Sequence, residues 1–436
     1  MPLKSIIRAL QYRNFRLYFG GQTISLIGTW MQRVALSWLV YRLTHSPFLL
    51  GVVGFSSQIP VFLLASFAGV LADRWNRRHI LILTQTLAMV QAFVLSFLVL
   101  TKTVQIWHII SLSLFLGIIN SFDMPTRQSF MVEMIGDKKD LGNAIALNSS
   151  MVNGARLLGP TAAGVLIAAF GEGNCFLINA FSYLAVIVSL LSMKIEQRKG
   201  KPKKADVWHG LREGFRYAAG FEPIWVILLM LALISFTGMP YVVLMPVFAK
   251  DILRAGADGF GFLMGSTGMG ALAGALVLAS RKSVLGLGRM IPLAASIFGC
   301  GLIAFSFSNV LVISMVLMFA TGFGQMVQMA SSNTLLQTIV EDDKRGRVMS
   351  FYAMAFMGFT PVGSLFAGFL ASKIGAPWTV CMGGIACTVG AVFFAKRLPA
   401  LREKVRPIYV NMGIIPEIAT GIQSATELPA SGKEAG

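Results

Sequence analysis

The chain has 436 residues, with 37 Lys plus Arg against 19 Asp plus Glu and a formal charge of +18. Hydrophobic residues make up 55% and charged residues only 13%, roughly half the usual share of a globular domain. That balance excludes an ordinary soluble domain, which needs charge to cover its surface, and a disordered basic chain, which could not be this apolar. The positive excess alone would fit a nucleic-acid binder, so the placement of the charges has to decide.

In chain order, a basic start (Lys4, Arg8, Arg13, Arg16) runs into a full-length apolar span at about 17–41 rather than a cleavable signal peptide. Residues 43–72, 80–101, 103–122, 173–193, 223–249, 259–280, 348–372 and 374–395 contain no Asp, Glu, Lys or Arg, and each is long enough for a membrane helix. Residues 290–340 are also free of charge, which suits two spans joined by a polar turn at Ser306, Ser308 and Asn309. The spans at about 17–41 and 144–169 carry one Arg each, Arg33 and Arg156. The expectation is an all-α integral membrane protein of twelve transmembrane helices. The segments are too long, and alternate too little, for barrel strands.

With the N-terminus in the cytoplasm, the cytoplasmic segments hold 30 of the 37 Lys and Arg residues and the outer loops five: Arg42, Lys102, Lys250, Arg254 and Lys373. The positive-inside rule therefore places both termini in the cytoplasm. Basic residues that hug membrane edges meet lipid headgroups and argue against nucleic acid as a partner. The predicted organisation is an N-terminal six-helix bundle at 1–193, a cytoplasmic linker at 194–222, a C-terminal bundle at 223–395 and a mobile tail at 396–436, with a short surface helix expected from Tyr409 to Ile418. The halves align at an offset of 204 residues: Asp137 with Glu341, Gly142 with Gly346, Gly159 with Gly363, Gly164 with Gly368, Gly171 with Gly375. Duplicated bundles are frequent in secondary transporters.

Three stretches stand out. GVLADRWNRR at 69–78 places Gly69 and Asp73 at a helix end beside Arg74, Arg77 and Arg78, the parts of a latch between helix ends; plain loop charge explains the arginines but not the acid. GARLLGPTAAG at 154–164 supplies Gly154, Gly159 and Gly164 for close packing and Pro160 for a bend. NSFDMPTRQSF at 120–130 puts Asp123 near the cytoplasmic end of the fourth span, four residues before Arg127. Arg156 at mid-membrane is a functional candidate by default, with a buried structural pair as the alternative. Gln22 and Arg33 share a helix face near Trp30, and snorkelling of Arg33 to the interface is the alternative. Asn148, Asn153, Gln325 and Gln328 complete the candidate substrate path.

These motifs resemble the major facilitator superfamily, whose loop between spans two and three reads G-x-L-A-D-R-x-G-R-[KR]; Asn76 stands here in place of the glycine. The segment around Pro160 is similar to the span-five motif of drug:proton antiporters, and the segments at 120–130 and 341–350 resemble the branch containing bacterial enterobactin exporters and macrolide-efflux-like permeases. The resemblance implies proton-coupled efflux of a bulky, partly apolar organic compound (a drug, macrolide or siderophore-like molecule) from the bacterial inner membrane by a monomer. An importer or facilitator, or a receptor on a transporter fold, stays open. Asp123 and Arg127 are the coupling candidates. No P-loop, metalloprotease helix or nucleophile elbow is present, so no ATP use, cofactor, metal or enzymatic site is expected.

Overall fold

The computed structural model describes residues 7–194, 207–281, 283–412 and 414, without the side chains of 65–66, 69–74, 138 and 207–211. Its helices are α1 (Arg13–Thr44), α2 (Pro47–Arg74), α3 (Arg77–Leu100), α4 (Ile106–Glu133), α5 (Leu141–Phe170), α6 (Glu172–Ser192), α7 (Val207–Gly220), α8 (Glu222–Ile252), α9 (Gly256–Ala279), α10 (Leu287–Ser306), α11 (Leu311–Ile339), α12 (Arg345–Ile374) and α13 (Ala376–Asn411). Eleven of them, all but α1 and the linker helix α7, are long and apolar enough to cross a membrane. Helix α1 has 32 residues, ample length at ~1.5 Å per residue, but Gln22, Gln32 and Arg33 interrupt its apolar run.

Large apolar side chains cover the outside of the bundle, including Leu63, Phe97, Phe170, Phe181, Leu293, Val316, Phe366 and Val389. That surface suits lipid, where a helix satisfies its own backbone hydrogen bonds.

Helices α1 to α6 pack among themselves, α1 against α5 and α6, α3 against α4 and α6, and α2 against α4. Helices α8 to α13 do likewise, with α11 against α9 and α10, and α10 against α13. The two groups meet along α5 against α9 and along α2 against α12. Each meeting is a crossing of two glycines. A Cβ on Gly164 would lie 2.8 Å from the Gly261 Cα, and one on Gly368 would lie 2.8 Å from the Gly51 Cα. Neighbouring backbone completes both crossings, Ala257 O beside Gly164 and Pro47 O beside Gly368. Only glycine permits backbones this close.

Both crossings lie toward the end of the bundle opposite the described chain termini. Toward the terminus-bearing end, Gly142, Gly154 and Gly346 have open space beside them, and Ile145, Ser149, Ser150 and Val152 of α5 are exposed. The groups are thus closed at one end and parted at the other.

Local details differ from the sequence expectation in four places. Helix α8 widens into π turns at Ile234–Gly238 and Phe248–Ile252, near Pro240 and Pro246, which lack the N–H that regular helix would use. Helix α13 does not stop near 395; it continues through Pro399 and Pro407 to Asn411, anchored where Glu222 accepts from Arg397 at 2.9 Å and from Lys404 at 2.5 Å. The short surface helix expected from Tyr409 is instead the end of α13, and the rest of the tail lies outside the described residues. Asn76 does not adopt a positive φ; at φ −67° it caps α3, its side chain accepting from the Arg78 and His79 amides. Glycines at positive φ do close the two tight turns at Gly171 (78°) and Gly375 (86°).

A Gly51→Val variant should therefore lose about 1–3 kcal/mol through overpacking against Ser364 O and Gly368. Gly154→Ala, facing open space within a helix, should gain about 0.5–1 kcal/mol. Thermal unfolding of the two variants in detergent checks both signs.

Candidate functional site

The polar residues of the first helix group form two linked clusters. In one, Asp123 on α4 is 1% exposed and accepts from Thr84 Oγ1 at 3.0 Å, Gln85 Nε2 at 2.7 Å and the Arg127 guanidinium one turn along. The carboxylate is thereby paired and hydrogen-bonded, the condition under which a buried charge is tolerated. The sequence placed Asp123 at a helix end; the structure puts it inside α4, facing α3. Pro125 lies within α4 and does not prevent the four-residue pairing of Asp123 with Arg127.

The second cluster is near the middle of the bundle. The Arg33 and Arg156 guanidinium carbons lie 4.8 and 5.9 Å from the Trp30 ring centroid, so two charges share one indole. Arg33 is 11 residues from the end of α1, which places it about 16 Å from that end. Its side chain is exposed, and Arg156 on α5 and Tyr183 on α6 are among its charged and polar neighbours. Arg156 Nη2 points to Gln325 Oε1 on α11 at 3.4 Å, and Gln325 Nε2 points on to the Met239 sulfur. The Tyr241 hydroxyl, beside the π turn of α8, approaches Arg156 and Thr267 but is buried without closing a hydrogen bond. Residues of both helix groups therefore converge on Arg156. Among the described residues, no carboxylate pairs with Arg33 or Arg156.

Tyr183, buried on α6, interacts electrostatically with Arg33 of one cluster and with Asp123 and Arg127 of the other. Behind it, Asn179 Nδ2 donates to Gln32 at 2.6 Å and Gln32 donates to Gln91 at 3.1 Å. The network of Gln32, Gln91, Asn179 and Tyr183 was not nominated as a unit, although Gln32 stands next to Arg33 in α1. Uncharged amides in apolar helices were the available signal.

The other nominated residues scatter. Gln22 is 2% exposed and does not share the accessible position of Arg33. Asn148 accepts from the Tyr18 hydroxyl at 3.3 Å, whereas Asn153 donates to Ser149 O within α5. Gln328 turns to Ser332 at 3.2 Å. Gly159 packs on Trp30 Cβ and Ile27 O, so the glycine before Pro160 seats the ring that both arginines share, while Gly154 packs on nothing. The side chains of Gly69, Asp73 and Arg74 lie outside those described. Of the other latch residues, Arg77 pairs with Glu133 at 2.5 Å and Arg78 Nη2 donates to Leu191 O at 2.8 Å.

At the closed end, the Tyr41 hydroxyl donates to Asp251, and Lys250 Nζ lies 2.9 Å from His45 Nε2, joining α1 to α8. At the terminus-bearing end, Asp140 gathers Arg8, Gln11 and Tyr12. That hydrogen bond to Asp140 holds the Tyr12 phenol above its usual value. A separate cleft of about 700 Å³ opens there among Tyr217, Val340, Glu341, Arg345 and Met412, away from both clusters.

An all-helical membrane bundle with a polar centre shared by two helix groups is the architecture of a major facilitator transporter. The crystal structure of a bacterial homologue of the human lysosomal transporter Spinster, inward-facing and unoccupied, matches this fold with a TM-score of 0.65 at 14% identity, covering 91% of this chain and 97% of that one. The chain belongs to the family described as transmembrane secretion effector, which it matches over residues 5–412. It is similar to the staphyloferrin A transporter of Staphylococcus aureus, 26% identical over 88% of this chain and 96% of that protein. It is also similar to the enterobactin exporter EntS of Shigella boydii, 22% identical over 89% of this chain and 92% of that protein. These relatives are transporters, not enzymes, and they place the chain in the efflux-like branch of the superfamily.

Stability should report the Asp123 cluster directly. Asp123→Leu leaves Arg127 without its partner and should cost about 3–5 kcal/mol. Adding Arg127→Met should recover most of the loss, and a thermal-shift double-mutant cycle measures the difference.

Proposed function

We propose that the protein is a secondary active exporter of a bulky, partly apolar organic compound, working by alternating access and driven by proton influx. The observation that carries this reading is Arg156: it sits where both helix groups meet, at the inner limit of a bundle closed at one end and parted at the other. A site at that position is reached from one side at a time when the groups rock.

In this reading α1 is a twelfth span. The two groups are duplicated six-helix bundles, supported by the 204-residue offset that relates the Gly164 crossing to the Gly368 crossing. Both termini are cytoplasmic, supported by the distribution of basic residues, and the parted end faces the cytoplasm. The membrane is the bacterial inner membrane, and one chain suffices for transport.

Asp123 is the proposed proton site. Protonation would release Arg127, and Tyr183 would carry the change to Arg33. The latch at Gly69, Asp73, Arg74, Arg77 and Arg78 is proposed to hold the cytoplasmic helix ends in one state. The Tyr41–Asp251 and Lys250–His45 contacts would hold the outer ends in the state described. Siderophore transport by two relatives supports a metabolite of that kind as cargo.

In sealed inverted vesicles an imposed proton gradient should drive uptake of a carried dye by the wild type. Asp123→Asn should abolish gradient-driven uptake yet keep dye exchange at equilibrium. Full gradient-driven uptake by this variant would remove Asp123 from the coupling role. Asp73→Asn should lower turnover several-fold with little change in binding affinity, measured by uptake kinetics beside equilibrium dye binding. Normal turnover would remove the latch.

A further inference from the structure

The central cluster bears on the charge of the cargo. Two guanidinium groups lie against Trp30, and among the described residues Arg156 has one hydrogen-bond partner, neutral Gln325 at the outer limit of 3.4 Å. Like charges held close in a low-dielectric bundle repel, and each pays for lost hydration. The indole face offsets only part of that cost. The second helix group offers Arg156 neutral neighbours only: Gln325, Tyr241 and, beyond Gln325, Met239. Asp123, the buried carboxylate of the other cluster, is already occupied by Thr84, Gln85 and Arg127. A cationic drug entering this chamber would meet two positive charges and no free acid. An anion would meet two unpaired guanidinium groups, the preferred partners of carboxylates, together with the unpaired Tyr241 hydroxyl.

We infer that the site formed by Trp30, Arg33, Arg156, Tyr241 and Gln325 takes an organic anion with at least two carboxylate-type groups beside an apolar or aromatic portion. Arg33 and Arg156 each take one acidic group. Trp30 packs against the body of the molecule, while Tyr241 and Gln325 complete the contacts from the second helix group. This inference rests on the proposed exporter reading. It also agrees with it energetically, because an inside-negative membrane potential favours outward movement of an anion.

The test compares two xanthene dyes of similar size, anionic 5-carboxyfluorescein and cationic rhodamine 123, by fluorescence anisotropy on the purified full-length protein. Wild type should bind carboxyfluorescein saturably and more tightly than rhodamine 123. Arg33→Gln and Arg156→Gln should each weaken carboxyfluorescein binding by about tenfold or more, the expected loss for one charge-assisted hydrogen bond, while the Lys variants retain part of it. Tighter binding of rhodamine 123 by wild type overturns the inference without recourse to any variant. Carboxyfluorescein affinity within twofold of wild type in both folded Gln variants overturns it as well. The exporter reading is judged separately by dye movement in vesicles. Carboxyfluorescein bound through the arginines but never moved sinks the exporter reading and leaves the anion site. Rhodamine 123 moved while carboxyfluorescein is not bound does the reverse.

Discussion

The close approach of backbones at two glycine crossings sets the geometry on which everything else depends. At Gly164 with Gly261, and at Gly51 with Gly368, no side chain separates the helices. Lipid supplies little hydrophobic drive for helices to associate, so contact must come from close packing. The two crossings give that contact at one end of the bundle only. Because α5 is held to α9 there, its other half is free to diverge, and its exposed face at Ile145 to Val152 is the result. The same tether fixes Arg156, since Gly268 of α9 packs on the Arg156 backbone and leaves the side chain to reach across to α11.

The two helix groups are alike in packing but unlike in chemistry. The first contains Asp123, Arg127, Arg33 and Arg156 with a scaffold of Gln32, Gln85, Gln91 and Asn179. The interior of the second includes Gln325, Gln328, Ser235, Ser331 and Ser332, with no charged residue among its described buried members. A charge inside a bilayer needs either a partner or a wet cavity. Asp123 and Arg127 take the first solution, and Arg33, exposed and without a carboxylate partner among the described residues, needs the second. Placing both solutions in one group lets that group respond to charge while the other remains a neutral wall. Among the described residues, no ion pair across the boundary at the centre would have to break in the rocking proposed above.

Much of the fold was legible in the sequence, because bilayer thickness converts directly into apolar run length. The charge-free runs match the spans, and even the polar turn at Ser306 to Asn309 falls between α10 and α11. The misses, apart from the local cap at Asn76, depend on contacts distant in sequence. Helix α13 runs past 395 because Glu222, 175 residues away, holds Arg397. Asn76 reads as a turn residue by analogy with glycine, yet its side chain finds two amides to cap. At the site, Arg33 and Arg156 were visible as charges in apolar helices. Their common partner was not, because Trp30 reaches Arg156 only through the notch that Gly159 leaves in α5. Gln22 was mislaid for the opposite reason: helical spacing assigns it the face of Arg33, but tertiary packing buries it.

Tyr183 gives the two clusters a physical means of communicating. It is a neutral side chain that feels the charges of Arg33 and of the Asp123–Arg127 pair. While Asp123 is ionised, Arg127 is held to α4 and the field at Tyr183 is nearly that of a dipole. Loss of the Asp123 charge leaves Arg127 as a third unpaired cation within reach of the same phenol. Two cations then act on the region, and the cost of keeping Arg33 unpaired rises. That cost falls if the chamber gains an anion or if the helices move apart and admit water. The coupling proposed for Asp123 would then need no chain of moving side chains. It would need only that the bundle, held shut at its glycine crossings, makes electrostatic repulsion expensive in one arrangement and cheaper in the other.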